Sequence, residues 1–81
     1  MHYVYILKSS IINKRYIGCT GDLEQRLSKH NAGGVRSTKA YRPWIVIHTE
    51  AFETSSQARS REYELKHNSW KRKELFDRIS K

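Results

Sequence analysis

The chain has 81 residues, 37% of them apolar and 30% charged, with 16 Lys and Arg against 8 Asp and Glu for a formal net charge of +8. That length holds one small domain, here expected over residues 1–81, which buries only about 60% of its unfolded surface. The composition is that of a globular chain, which excludes disorder, and the basic excess favours a polyanionic partner over an acidic one.

Tyr3 to Leu7 is an unbroken β-branched and aromatic run, the pattern of a strand buried on both faces. Lys8 to Lys14 is a short polar connection containing the turn former Asn13. Arg15 to Cys19 follows as a second strand, which predicts an antiparallel hairpin. Gly18 inside it marks a bulge or a close approach to the backbone. Thr20 is read as the N-cap of a helix, with Asp22 and Glu24 in its first turn and Leu23 and Leu27 as its apolar pair; Gly33-Gly34 ends it.

The stretch from Gly33 to Arg42 has no apolar period and reads as a basic loop closed by Pro43. Trp44 to Ile47 begins a third strand running on towards Phe52. Thr54-Ser-Ser-Gln57 matches a capping box, so a second helix starts there with Ala58 and Leu65 on its buried stripe. Asn68-Ser69 breaks it, and Ser69 is read as the cap of a last helix carrying Trp70, Leu75, Phe76 and Ile79. The order ββαβαα predicts an α+β domain: a small three-stranded antiparallel sheet flanked by helices.

Cys19 is alone, which excludes an intramolecular disulfide, and the four histidines lack the close spacing of a zinc site. The apolar run at the N-terminus is too short for a signal peptide or membrane span. A cytoplasmic protein with no membrane partner is expected. No acidic residue falls between Gln25 and Thr49, whereas Lys29, Arg36, Lys39 and Arg42 do, so these four are the candidate phosphate-facing cations.

Glu62 lies four residues from Ala58 and three from Leu65, beside the apolar stripe of its own helix. A site carboxylate explains that placement. So does an edge glutamate paired with Arg59 or Lys66, and periodicity favours the latter. Arg26 and His30 are i, i+4 neighbours on the first helix: a guanidinium suited to bidentate phosphate contact beside an imidazole able to move a proton. A surface pair with no partner is the ordinary alternative. Tyr3 and Tyr5 share a strand face, and the right hairpin register brings Tyr16 to them; packed tyrosines with satisfied hydroxyls are the commoner case.

Tyr3-Val4-Tyr5 followed by Tyr16-Ile17-Gly18 resembles the paired motifs of the GIY-YIG nuclease superfamily. The run Thr20-x-Asp22-Leu23-x-x-Arg26-Leu27-x-x-x-His30-Asn31 resembles its arginine helix. Arg42-Pro43-Trp44 and Ala58-x-x-x-Glu62-x-x-x-Lys66 complete the pattern, and small stand-alone bacterial members are most similar. The resemblance implies that Tyr5, Tyr16, Arg26, His30 and Glu62 are catalytic, that Glu62 holds one Mg²⁺ or Mn²⁺, and that the reaction is hydrolysis of a nucleic-acid phosphodiester by water. It implies that cations lower the proton affinity of Tyr5, which orients or deprotonates that water. Structure-directed DNA cleavage in repair or recombination is the expected activity, with a protein partner or homodimer supplying specificity. Tyr5, Tyr16, Arg26 and Glu62 are expected on one concave surface with His30 at its rim. Tyr3 stands where the first motif has Gly, and the family's downstream Asn is not matched by Asn68, only six residues beyond Glu62, with Glu74 nearer its place. A non-catalytic nucleic-acid-binding module of the same fold is the alternative, and a basic adaptor on RNA or ribosomes a third.

Overall fold

The computed structural model describes residues 1–79. Strand β1 spans His2–Ser9, β2 Arg15–Thr20 and β3 Trp44–Phe52; helix α1 spans Leu23–Asn31, α2 Ser55–His67 and α3 Ser69–Ile79. The strands form one antiparallel sheet in the order β2-β1-β3. The central place of β1 accounts for its unbroken apolar run, since Val4, Tyr5, Ile6 and Leu7 are all essentially inaccessible.

Alternation along β1 divides the core into two layers. Val4 and Ile6 pack with Ile17, Ala58, Leu65 and Leu75 under α2 and α3, while Tyr5, Leu7 and Trp44 pack with Tyr16, Leu23 and Leu27 under α1. The register shift between Ile6 and Leu7 leaves Ile47 as the extra residue on β3, a bulge; by ordinary alternation Ile47 packs in the first layer and Val46 in the second. An ionic clamp ties β3 to α2: Arg61 Nε donates to Glu50 Oε1 at 2.8 Å and Nη2 to Oε2 at 3.1 Å, with His48 Nε2 2.9 Å from Oε2. Burial alone would raise the Glu50 pKa, but the hydrogen bonds from Arg61 and His48 outweigh it and the net shift is downwards.

The helix starts depart from the sequence reading in two places. Thr20 is still paired in the sheet, opposite Tyr3, so the α1 cap falls to Asp22, whose Oδ1 accepts from Gln25 N at 3.1 Å. At α3 the capping acceptor is Asn68 Oδ1, bonded to Lys71 N at 3.1 Å, and Ser69 is the first helical residue. Trp70, one of the apolar residues expected on α3, is 73% exposed. The Thr54 capping box is formed with both of its bonds. Helix α1 ends at Asn31 and the chain turns through Gly33 at φ +82°, a left-handed conformation that favours glycine. The basic loop beyond it contains one short 3-10 turn, Lys39–Tyr41.

Candidate active site

Tyr5 and Gly18 are direct partners across β1 and β2, and Tyr16 lies on the same face two residues along. With no side chain at Gly18, the Tyr5 ring can lie flat against β2. A Cβ at that position would come within 2.6 Å of Tyr5 Cζ and 3.1 Å of Tyr16 Cε1. Gly18 is therefore the close approach that its place in a strand suggested.

Around the Tyr5 hydroxyl the polar groups form a directed chain. Arg26 Nε, on α1, donates to Tyr5 Oη at 3.3 Å. Tyr5 Oη lies 3.1 Å from His30 Nε2, and His30 Nδ1 lies 2.9 Å from Thr38 Oγ1. The Thr38 hydroxyl donates to Val35 O at 3.3 Å, which leaves its oxygen to accept from His30 Nδ1–H. His30 Nε2 is then bare and accepts the Tyr5 proton. The Trp44 indole holds this arrangement by donating to Thr38 O at 2.9 Å, and the Asn31 side chain grips both backbone groups of Trp44 at 2.6 and 3.1 Å.

His30 is not at a rim. It is fully buried, covered by the loop that carries Thr38, with the Tyr16 ring against it at 4.8 Å between centroids. Burial first, then the charges of Arg26 and Lys29, hold its pKa below the ordinary imidazole value, so it is neutral at pH 7. For Tyr5 the balance in the free protein is opposite to the expectation from cations: burial raises its pKa more than the Arg26 hydrogen bond lowers it. The phenol is thus protonated and its proton is directed at His30.

The sign of the resulting pH dependence is fixed. A histidine whose folded pKa is depressed contributes full stability above its unfolded value of about 6.5, and loses it as pH falls through the folded value. Thermal melts of the wild type should therefore begin to fall just below pH 6.5, and His30→Gln should lack that limb while keeping the separate loss at lower pH where Glu50 protonates. A wild-type melting temperature flat from pH 7 to pH 5 would contradict the buried neutral His30.

Glu62 belongs to α2, on the sheet face opposite Tyr5 and Arg26, so the residues expected on one concave surface come from two layers. They approach one another around the outer edge of β2. Glu62 Oε1 accepts from Cys19 Sγ on β2 at 3.4 Å, and its Oε2 is 3.2 Å from Lys66 Nζ, which itself lies 5.8 Å from the centre of the Tyr16 ring. The Glu62 charge raises the Tyr5 pKa as a minor contribution, so the two groups are close enough to couple. Burial and the Glu62 carboxylate raise the Cys19 pKa, keeping the thiol protonated as the donor.

Lys66, not Arg59, is the ion-pair partner of Glu62. Among the described residues no group of three or more His, Cys, Asp or Glu is assembled. A hard divalent ion needs only one or two carboxylates when water and substrate oxygens complete its shell. Glu62 is a partly exposed carboxylate, but its ion pair with Lys66 would have to yield to such an ion, so it suits at most a weakly held one. Arg36, Lys39 and Arg42 are exposed and border one open depression, and Lys29 packs its stem against Gly34 at the end of α1, so the four predicted cations share the loop side of α1. Asn68 is used in capping, and Glu74 lines a groove with Trp70 and Asp77; neither belongs to this cluster. Thr38 and Cys19 carried no signal in the sequence, because nothing local marks a loop threonine or a strand cysteine as a partner of the site.

The fold is a small α+β domain that carries a bonded phenol and guanidinium on one face of the sheet and the Glu62 carboxylate on the other. The family model for the GIY-YIG catalytic domain matches residues 1–75, and the chain belongs to that family. It is similar to a UPF0213 protein of Staphylococcus haemolyticus, 46% identical over 66 residues covering 80% of this chain and 79% of the relative. A UPF0213 protein of Halobacterium salinarum is 40% identical over 77 residues, covering 94% of this chain and 99% of the relative. The solution NMR structure of a UPF0213 protein from Bacillus halodurans matches with a TM-score of 0.58 at 37% identity, covering 96% of this chain and 83% of that one. No helix among the described residues is long and apolar enough to cross a membrane.

Proposed function

We propose that the protein is a metal-dependent endonuclease that hydrolyses phosphodiester bonds of nucleic acid, with structured DNA as its substrate in repair or recombination and the cytoplasm as its place of action. The observation that carries this reading is the directed chain Arg26–Tyr5–His30–Thr38. It gives one phenol oxygen a cationic donor on one side and a neutral imidazole acceptor for its proton on the other.

In this mechanism water attacks phosphorus in line with the departing sugar oxygen. Tyr5 Oη takes a proton from the water as its own proton passes to His30 Nε2, so no free phenolate is needed despite the raised pKa. Thr38 orients His30 by accepting from Nδ1–H. Arg26 supports the charge that grows on the phosphoryl oxygens in the transition state. Tyr16, edge-on to His30 and partly exposed, contributes a hydroxyl for the scissile phosphate. Glu62 would hold a single Mg²⁺ or Mn²⁺, which would supply Lewis-acid polarisation of the phosphate and stabilisation of the leaving oxygen.

The test is a cleavage panel of branched, nicked, single-stranded and linear DNA, with RNA counterparts, in Mg²⁺ and in Mn²⁺. Branched DNA should be cut in preference to linear duplex. Tyr5→Phe should slow the cut by roughly 10²–10⁴-fold, the ordinary contribution of a positioned acid–base group. A Tyr5→Phe variant cutting at the wild-type rate would remove Tyr5 from the chemistry.

A further inference from the structure

A second basic surface lies on the other side of Tyr16, where no sequence feature marked a site. The foot of the β1–β2 hairpin, the end of α2 and the face of α3 enclose an open cleft of about 470 Å³. Lys14, Arg15, Lys66 and Arg72 all line it beside Tyr16 and Phe76, and no carboxylate is part of its lining among the described residues. Three of these cations are fixed by neighbours that leave their charge uncancelled. Lys14 Nζ sits 4.2 Å above the Tyr41 ring, the Arg15 guanidinium 5.0 Å from the centre of the Phe76 ring, and Arg72 Nη1 donates to the Leu65 and Lys66 carbonyls. Lys66 is offset by Glu62, but the other three like charges around the hollow repel one another, and water screens them less inside a concave wall than on an open face.

Arg15 supplies the independent sign of a missing ligand. Its Nε is shut off from solvent and has no hydrogen-bond partner among the described residues, so the guanidinium is only partly exposed and must shift for that donor to meet a ligand in the cleft. A buried donor left unmade is costly, more so when it is charged, and an anionic oxygen is its strongest complement. The cleft also adjoins the catalytic cluster directly, because the Lys66 ammonium that lines it is 3.2 Å from Glu62 Oε2 and the Tyr16 ring forms part of both. Lys14, resting on Tyr41, joins the cleft to the basic loop.

We propose that this cleft is a second phosphate subsite that holds the backbone phosphate next to the scissile one, with Arg15 as its principal donor and Lys14 and Lys66 as supporting charges. The proposal rests on the nucleic-acid reading above but not on catalysis. The strand would run from the loop bearing Arg36, Lys39 and Arg42, past Arg26 and Tyr5, into the cleft.

Binding and cleavage can be separated in the test. Fluorescence anisotropy with a duplex oligonucleotide in EDTA, repeated across salt concentrations, reads phosphate binding whether or not the protein cuts. The pair Lys14→Gln and Arg15→Gln should lower affinity about tenfold or more at low salt and flatten the log–log salt slope by about 0.9 for each phosphate no longer neutralised. Arg15→Lys, which keeps the charge but loses the fork, should fall between. On the wild-type protein, the Arg15 Nε–H resonance should shift on titration with the oligonucleotide, a readout that survives if the paired variant fails to fold. An unmoved Arg15 resonance, or an unchanged slope in the folded double variant, would overturn the subsite. Normal cleft binding without any cleavage would instead count against the nuclease reading alone.

Discussion

Glu62→Gln should reduce metal-dependent cleavage by at least about 10³-fold, roughly 4 kcal/mol of transition-state stabilisation, while leaving metal-free affinity for DNA unchanged or slightly higher. The amide keeps the shape of the side chain and an oxygen for Cys19 Sγ to donate to, so the fold has little reason to change. It removes the charge that a divalent ion requires. It also frees Lys66 from its 3.2 Å ion pair, adding a net positive charge beside the phosphate path. Arg26→Ala should behave differently, weakening both binding and cleavage and cleavage the more, because in the proposed mechanism the guanidinium would face phosphate, and it also donates to Tyr5 Oη. Single-turnover rates in Mg²⁺ and Mn²⁺ alongside anisotropy in EDTA separate the two patterns. A Glu62→Gln protein that cuts as well as the wild type would exclude Glu62 as the metal ligand. Wild-type protein that binds DNA and cuts nothing would leave the non-catalytic binding module as the standing description.

Gly18→Ala should be the most damaging single-methyl change in the sheet. The added carbon would lie 2.6 Å from Tyr5 Cζ, and that ring is only 1% exposed, backed by His30 and bonded to Arg26. It has nowhere to retreat, so either the β1–β2 pairing opens or the phenol leaves its donor and acceptor. Overpacking of this kind costs about 1–3 kcal/mol, and cleavage should fall at least as far as in Tyr5→Phe. Adding Tyr5→Phe to Gly18→Ala should restore only part of the stability, since it removes the hydroxyl oxygen, the nearest clashing atom, but leaves the ring carbon at 2.6 Å. Gly21→Ala is the control, because its nearest neighbours are His2 ring atoms at 3.6 Å, ordinary contact distance. Equal melting temperatures for the two alanine variants would show that the Tyr5 ring is not pinned against Gly18.

Much of the secondary structure was legible because it follows from short-range periodicity. The unbroken run Tyr3–Leu7 marked the strand with neighbours on both sides, and Thr54-x-x-Gln57 marked the start of α2 through bonds made within four residues. Errors came where two local solutions compete. Thr20 and Asp22 can both cap a helix, and pairing of Thr20 with Tyr3 decides for Asp22. Trp70 groups by type with the other apolar residues of α3, yet helical periodicity itself puts it on the side opposite Leu75, Phe76 and Ile79, and it is exposed.

For the site, the order of Tyr5, Tyr16, Arg26, His30 and Glu62 along the chain carried the family resemblance, and periodicity placed Arg26 and His30 on one side of α1. Tertiary structure alone decided how they meet. Periodicity tells which side of an element a residue occupies, but not what lies opposite or what folds over it. That α1 and α2 lie on opposite faces and send side chains around the β2 edge depends on the sheet order. The burial of His30 depends on Thr38, eight residues away, being held by the Trp44 indole. The solvent-free Nε of Arg15 depends on a cleft whose wall includes Phe76, contributed by α3 from the far end of the chain. Burial and hydrogen-bond satisfaction are properties of assembled surfaces, and no local pattern in the sequence encodes them.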